Sequence, residues 1–132
     1  MKQFSRHVCS FLFLAIAIPI AGFSQKAFVT TQYQSSVNKL KVTFNLADGY
    51  VPGNELKLYN KVSRTTARFL PENNAIDETR PTKFYHFSPS GKKFRDYFLV
   101  DNLKEKFEAM PAKIIARYYN NARIVKFTLA RK

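Results

Sequence analysis

The residue types that carry most enzyme chemistry are scarce in this chain of 132 residues. Its one cysteine is Cys9 and its two histidines are His7 and His86, so only His86 lies beyond the first two dozen residues. A zinc site there would need carboxylates for almost all its ligands. No Gly-x-Ser-x-Gly motif or glycine-rich phosphate loop is present. The sequence therefore predicts no metal site, no cofactor and no catalytic site, and hence a protein that is not an enzyme.

The acidic residues offer little acid–base chemistry. Two pairs are close in sequence, namely Glu105 with Glu108, and Asp77 with Glu78. Both pairs are interpreted as solvated charges on a basic surface. Asp96 differs, because it falls among aromatic residues on the otherwise apolar face of a predicted strand. We expect it to pair with His86 across a hairpin, or with a lysine at the sheet edge, in a structural role.

The N-terminal residues have the pattern of a secretory signal peptide. Two basic residues, Lys2 and Arg6, precede an apolar run at residues 11–20, and small residues lead up to Ser24. The apolar run is too short to span a membrane comfortably. We therefore predict a signal peptide over residues 1–24, a periplasmic or secreted protein, and no transmembrane anchor after cleavage.

The chain beyond the signal peptide is strongly basic. The whole sequence has 22 Lys and Arg against 9 Asp and Glu. Removing Lys2 and Arg6 leaves 20 basic residues and a formal charge of +11. Such a surface attracts an acidic protein, an anionic envelope component or nucleic acid, and the charge alone does not distinguish them.

Alternating apolar and polar residues predict the strands. Residues 39–46 and 123–129 alternate with period two, which is typical of half-buried strands. Residues 83–100 form two aromatic-rich strands around Ser88-Pro89-Ser90-Gly91, a sequence suited to a turn. With a three-residue loop, His86 would lie opposite Phe94. The predicted inward face then contains Phe84, His86, Phe94, Asp96, Phe98 and Val100.

Two segments are predicted to be helical. The first is residues 61–70, ended by Pro71, and the second is residues 111–119, where Pro111 suits the first helical position. The stripe expected to be buried on the second helix is Ile114, Ile115, Tyr118 and Tyr119. Residues 55–59 fit either a strand or the start of the first helix. Residues 66–76 and 115–124 also share a short similarity, which chance or duplication would explain equally well.

Part of the sequence resembles the PepSY-like domains of exported bacterial proteins. The similarity lies in Phe107-Glu108-Ala109-Met110-Pro111, then Ile114-Ile115, Tyr118-Tyr119 and Ala122-Arg123-Ile124-Val125-Lys126, with the aromatic hairpin upstream. It covers roughly residues 84–129. Asn120-Asn121 replaces the Pro-Gly pair that often follows the tyrosine. The resemblance, shared with the beta-lactamase-inhibitor-like fold, implies helices packed on an antiparallel sheet and a non-enzymatic role in binding or inhibiting envelope partners.

These observations predict three segments. Residues 1–24 are the signal peptide, residues 25–38 a flexible N-terminal arm, and residues 39–132 a single α+β domain. The domain is expected to have an antiparallel sheet of four or five strands, with two short helices packed on one face.

The polar face of this sheet is the predicted binding surface. It would combine basic residues with tyrosines, namely Lys39, Lys41, Lys57, Lys83, Lys93, Arg95 and Lys126 with Tyr59, Tyr85 and Tyr97. Its candidate binding residues are Lys83, Tyr85, Lys93, Arg95 and Tyr97. Basic groups beside aromatic rings suit nucleic-acid bases, sugars or acidic protein loops. The predicted function is an exported binding or inhibitory module for an acidic protein or another anionic envelope component. The alternative is a sequence-independent binder of anionic polymer, meaning nucleic acid, lipopolysaccharide or acidic polysaccharide, with nucleic acid not favoured.

Overall fold

The fold is a closed, antiparallel β-barrel of eight strands. The computed structural model describes residues 29–132, so the predicted signal peptide and residues 25–28 lie outside the described residues. The strands are β1 (Thr30–Val37), β2 (Leu40–Ala47), β3 (Glu55–Asn60), β4 (Thr65–Pro71), β5 (Thr82–Phe87), β6 (Lys93–Val100), β7 (Lys113–Asn120) and β8 (Arg123–Arg131). Each strand pairs with the next one in sequence, and β8 pairs back to β1. A 3-10 turn, Val51–Gly53, precedes β3.

The predicted α+β architecture is wrong, because neither predicted helix forms: one segment is a strand, and the other is a turn followed by a strand. The segment predicted as the second helix forms β7, which pairs with β6 on one side and β8 on the other. Ile114, Ala116 and Tyr118 are buried, while Ile115 and its alternating neighbours face outward. The burial therefore has period two, as a strand requires. A nine-residue helix would have been marginal by itself, whereas two neighbouring strands satisfy the backbone here.

The other predicted helix divides into a turn and a strand. Residues 61–64 form the turn between β3 and β4, where Arg64 has a φ of +55°. β4 follows, with Phe69 fully buried inside the barrel. The segment left open between strand and helix is β3, a strand.

The expected flexible arm contains a strand. Thr30–Val37 is β1, which pairs along its whole length with β2. Tyr33 is its one large residue that is fully buried, which explains why the segment lacks visible alternation. By contrast, the strands predicted over residues 39–46 and 123–129 are confirmed as β2 and β8.

The predicted hairpin of residues 83–100 is confirmed, with one irregularity. Phe87 lies opposite Lys93, which agrees with the expected register beside the turn, but Tyr85 lies opposite Tyr97. Two residues of β5 therefore span four residues of β6, a bulge-like shift. Because the shift is an even number of residues, the alternation of the hairpin is preserved, but Phe94, which was expected to be buried, is 39% exposed.

Side chains fill the interior of the barrel. The largest fully buried ones are aromatic, and they are Tyr33, Phe44, Phe69, Phe84, Phe98 and Phe127. Several of these rings meet edge to face, as Phe69 and Phe98 do at 4.7 Å between centroids. An eight-stranded barrel is just wide enough for such a packed core. The interior is thus a hydrophobic core, and binding sites must lie on its outside or at its ends.

The two ends of the barrel differ. Four tight turns, after β1, β3, β5 and β7, lie at one end, here called the turn end. A residue with positive φ occurs in each turn, and these are Asn38, Arg64, Gly91 and Asn121. The longer connections after β2, β4 and β6 lie at the opposite end.

The connection after β6 covers that opposite end. Leu103 is buried, and Phe107 and Met110 pack against the core. The backbone N–H of Phe107 donates to Asp48 Oδ1 at 2.8 Å, and that of Gly49 donates to the carbonyl of Glu105 at 2.9 Å. These bonds join the connections after β2 and β6 across that end of the barrel.

Candidate functional site

The structure brings four of the five predicted binding residues together on the outside of the barrel. Lys83 Nζ lies 4.9 Å from the ring centroid of Tyr85 and 4.2 Å from that of Tyr97. Lys93 Nζ lies 3.7 Å from the ring centroid of Tyr85. Arg95, the fifth, is exposed on the same hairpin but no ring contact joins it to these residues. The hairpin pairing explains the grouping, because Tyr85 and Tyr97 are directly opposite on β5 and β6.

A third tyrosine extends this surface, and sequence reasoning missed it. Tyr119 on β7 is opposite Tyr97, and their rings stack with centroids 5.0 Å apart and planes 10° apart. Tyr119 had been assigned to a buried helical stripe, so it was not a candidate. If the alternation of residues 114–119 is interpreted as a strand, Tyr119 is predicted to face outward. We call Lys83, Tyr85, Lys93, Tyr97 and Tyr119 the tyrosine–lysine patch.

The remaining basic residues of the predicted sheet face do not join this patch. Lys41 and Lys57 point outward from β2 and β3, on another part of the circumference. Lys57 and Arg68 both pair with Glu55, at 3.5 Å and 2.6 Å. A flat sheet would have placed these cations on one surface, whereas closure of the barrel spreads them around it.

A polar network lies inside the barrel towards the turn end. His86 Nδ1 is 2.8 Å from Asp96 Oδ1, and the hydroxyl of Tyr118 donates to Asp96 Oδ2 at 2.6 Å. The pairing of Asp96 with His86, one of two alternatives expected from the sequence, is therefore observed. Tyr118 could not have been foreseen, because it comes from the segment predicted as a helix.

This network is held between aromatic rings. The imidazole of His86 lies between Phe69 and Phe94, with centroid distances of 4.9 Å and 4.4 Å. Burial, followed by the hydrogen bond to Asp96, raises the pKa of Tyr118 well above its ordinary value of 10.0. Tyr118 therefore stays protonated and remains a hydrogen-bond donor throughout the physiological range.

An open pocket of about 490 Å³ reaches His86 at the turn end. Its lining residues are Thr66, Arg68, His86, Phe87, Ser88, Pro89 and Phe94. The pocket exists because β4 and β5 separate towards the turn end. Their last pair is Arg68 with Phe87, and beyond it β4 extends to Thr65 whereas β5 ends and the turn to β6 begins. We call this opening the rim pocket.

Two further kinds of site are absent from residues 29–132. Within that range no group of three or more His, Cys, Asp or Glu side chains is placed to hold a metal ion. The same range contains no helix with the length and hydropathy needed to cross a membrane.

Comparison with protein-family models, curated proteins and solved structures finds no match to this chain. The resemblance to PepSY-like domains consequently stays a prediction from sequence. The helix-on-sheet architecture that it implied does not occur in residues 29–132.

Proposed function

We propose that this chain is a non-enzymatic binding module of the cell envelope, which holds an acidic protein partner on the tyrosine–lysine patch. The observation that supports this is the continuous row of Tyr85, Tyr97 and Tyr119 across three neighbouring strands, bordered by Lys83 and Lys93. Rigid tyrosines supply contact area at low entropic cost, and lysines favour a partner of opposite charge. Arg95, exposed on the same hairpin, adds to the attraction.

The contacts inside the patch favour a protein over single-stranded nucleic acid. A nucleic-acid binder offers free ring faces on which bases stack. In the patch, Lys83 and Lys93 already lie over tyrosine faces, and Tyr97 already stacks on Tyr119. An acidic side chain, in contrast, can pair with the lysines from outside without displacing those contacts. The contacts within the patch therefore favour an acidic protein surface as the partner.

The packed interior supports the same assignment. The barrel core is filled by buried side chains, so the main surface available for a large partner is its exterior. Among the exterior residues, the patch combines aromatic and cationic groups over three strands.

The test is a capture experiment with a charge-matched control. The purified protein, Lys93→Glu/Arg95→Glu and Lys41→Glu/Lys61→Glu are immobilised and exposed to envelope extract at low and at physiological salt. Both variants change the charge equally, and Lys41 and Lys61 are exposed on β2 and in the turn between β3 and β4, away from the patch. We expect the wild type and the control to retain the same acidic protein, and the patch variant to lose it.

Two results would contradict the proposal. Equal loss in both variants would show that only the bulk charge matters. Retention of nucleic acid or polysaccharide, with affinity falling steeply as salt increases, would favour the anionic-polymer alternative. As a further measurement, Tyr85→Ala should raise the dissociation rate of the captured protein more than it lowers the association rate, as expected for a contact residue.

A further inference from the structure

The rim pocket contains a hydrogen-bonding group that the fold does not use. His86 Nδ1 faces the carboxylate of Asp96, and a carboxylate can only accept, so Nδ1 carries the hydrogen. In neutral imidazole the other nitrogen, Nε2, is then an acceptor. No hydrogen bond connects Nε2 to any residue in the described range 29–132.

The position of the ring shows where Nε2 can be reached. Phe69 and Phe94 cover the two faces of the imidazole, and Asp96 occupies the Nδ1 edge. The side chain of His86 is nevertheless 20% exposed and lines the rim pocket. The accessible part is thus the remaining edge of the ring, which bears Nε2.

The rest of the pocket indicates the kind of molecule that would fit. Phe87, Pro89 and Phe94 give it an apolar lining, and its volume of about 490 Å³ suits a small molecule. The one charged lining residue, Arg68, is paired with Glu55 at 2.6 Å. A ligand with an ammonium group would be repelled by the Arg68 guanidinium and by the net positive charge of the protein. A ligand carboxylate would be repelled by the lone pair of Nε2.

We propose that the rim pocket binds a small neutral molecule with an aromatic body and one hydroxyl donor, of which a phenol is the simplest case. The hydroxyl donates to His86 Nε2, and the aromatic body packs against Phe94 and the neighbouring apolar side chains. Asp96 acts as a positioning residue, because it fixes the imidazole tautomer that presents an acceptor. Tyr118 in turn holds the second oxygen of Asp96 by donating to it.

This site is independent of the tyrosine–lysine patch. His86 points into the barrel, whereas Tyr85 and the other patch residues point outward from the same hairpin. A ligand in the rim pocket and a protein on the patch would therefore not compete for the same side chains.

The experiment compares two probes that differ only in the donor. Binding of p-cresol and of 4-methylanisole to the purified protein is followed by two-dimensional NMR. Because one hydrogen bond contributes about 0.5–1.5 kcal/mol, p-cresol should bind roughly 2- to 12-fold more tightly than 4-methylanisole. The shifted resonances should include those of His86, Phe87 and Phe94.

Two variants test the role of the imidazole. His86→Leu should remove the preference for p-cresol while leaving weak binding of both probes. Asp96→Asn should reverse the tautomer, since the asparagine amide can donate to Nδ1 and place the hydrogen on Nε2. Benzoate, which accepts hydrogen bonds, should then bind better to Asp96→Asn than to the wild type. If Asp96 had only a structural role, Asp96→Asn would not change which probe the protein prefers.

The proposal fails on any of three results. One is equal affinity of the wild type for p-cresol and 4-methylanisole, and another is the absence of shifts in the rim pocket with p-cresol. The third is a folded Asp96→Asn protein, with native-like spectra, whose preference among the three probes matches that of the wild type.

Discussion

At the scale of single residues, the ionisable side chains of His86, Asp96, Tyr118 and Tyr33 are tolerated beside the core because they hydrogen-bond to one another or to the backbone. Asp96 accepts from His86 and Tyr118, and the hydroxyl of Tyr33 donates to the carbonyl of Pro111 at 2.6 Å. A buried polar group without such a partner would cost about 1–3 kcal/mol. The interior can therefore include ionisable residues next to phenylalanines without losing its packing.

The first prediction concerns alkaline pH. Burial raises the pKa values of both Tyr33 and Tyr118 above 10.0, so the unfolded chain loses these protons first as the pH increases. The stabilisation is complete below pH 10 and decreases above it. In Tyr118→Phe the free energy of unfolding should fall less steeply with increasing pH, by up to about 1.4 kcal/mol per pH unit. Denaturant melts between pH 8 and pH 11 measure the slopes, and parallel slopes for the two proteins would contradict the assignment.

The second prediction concerns Asn54, which is 1% exposed. Its side-chain Oδ1 accepts from the backbone N–H of Ala47 at 2.7 Å, where β2 ends. Asn54→Ala would leave that N–H unpaired, so the free energy of unfolding should fall by about 1–3 kcal/mol. Asn73→Ala, in an exposed part of the connection after β4, is the control and should change it by less than about 0.5 kcal/mol. Similar losses in both variants would show that the hydrogen bond to Ala47 is unimportant.

At the scale of elements, β7 shows how one sequence can fit two periods. Ile114-Ile115 and Tyr118-Tyr119 are adjacent pairs separated by four positions, so they form a stripe on a helix as well as two faces on a strand. Ladders with β6 and β8 decide between the two, and these are contacts with residues distant in sequence. Local pattern alone therefore could not have given the correct element.

The third prediction distinguishes the two periods directly. Ile114 is 4% exposed and belongs to the core, whereas Ile115 faces outward and is half-buried. Ile114→Ala should lower the free energy of unfolding by about 2–5 kcal/mol. Ile115→Ala should lower it by no more than about 1 kcal/mol, mainly through strand propensity. Equal losses in denaturant melts would instead agree with the helical stripe, in which both residues were buried.

The hairpin of β5 and β6 was the most predictable element, because its turn and its alternation are both local. The inward set could be listed from sequence, and the pairing of His86 with Asp96 was one of two expected outcomes. The bulge could not be predicted, since it depends on how β6 must also align with β7. β1 was missed for another reason: it contributes one large buried side chain, Tyr33, and all its other residues except the terminal Val37 are polar.

The candidate patch was predictable to the extent that it is contained in this hairpin. Lys83, Tyr85, Lys93 and Tyr97 follow from alternation within two adjacent strands. Tyr119 comes from the next strand and required β7 to be recognised. The other basic residues of the predicted sheet face do not group together, because a closed barrel distributes its solvent-exposed residues around its circumference. Closure involves all eight strands, so it could not be predicted from one hairpin.

At the scale of the whole molecule, the weakest part of the barrel is the seam between β1 and β8. The pairing there consists of Tyr33 with Arg131 and Gln34 with Ala130, whereas β1 pairs with β2 over its whole length. The backbone N–H of Lys132 adds one bond to the carbonyl of Gln32, at 2.9 Å. Closure also joins the two strands farthest apart in sequence, so its loop entropy is the largest in the fold.

The fourth prediction is that the seam opens before the rest of the barrel. Local opening begins where few backbone hydrogen bonds hold an element in place. In hydrogen exchange followed by mass spectrometry, peptides covering residues 30–37 and 126–132 should exchange faster than the peptide covering residues 40–47. β2 is the internal control, because long ladders flank it on both sides. Equal protection of all three peptides would show that the seam is as stable as the other ladders.

The arrangement of the seam also determines how the barrel would respond to mechanical force. The start of β1 and the end of β8 lie side by side, with Tyr33 opposite Arg131. Tension applied to these two strand ends would separate the paired residues one after another, as in unzipping, instead of loading many hydrogen bonds in parallel. A barrel pulled by these ends would yield at low force and unfold strand by strand from the seam. The hairpin of β5 and β6, in the middle of the chain, would be among the last parts to come under load.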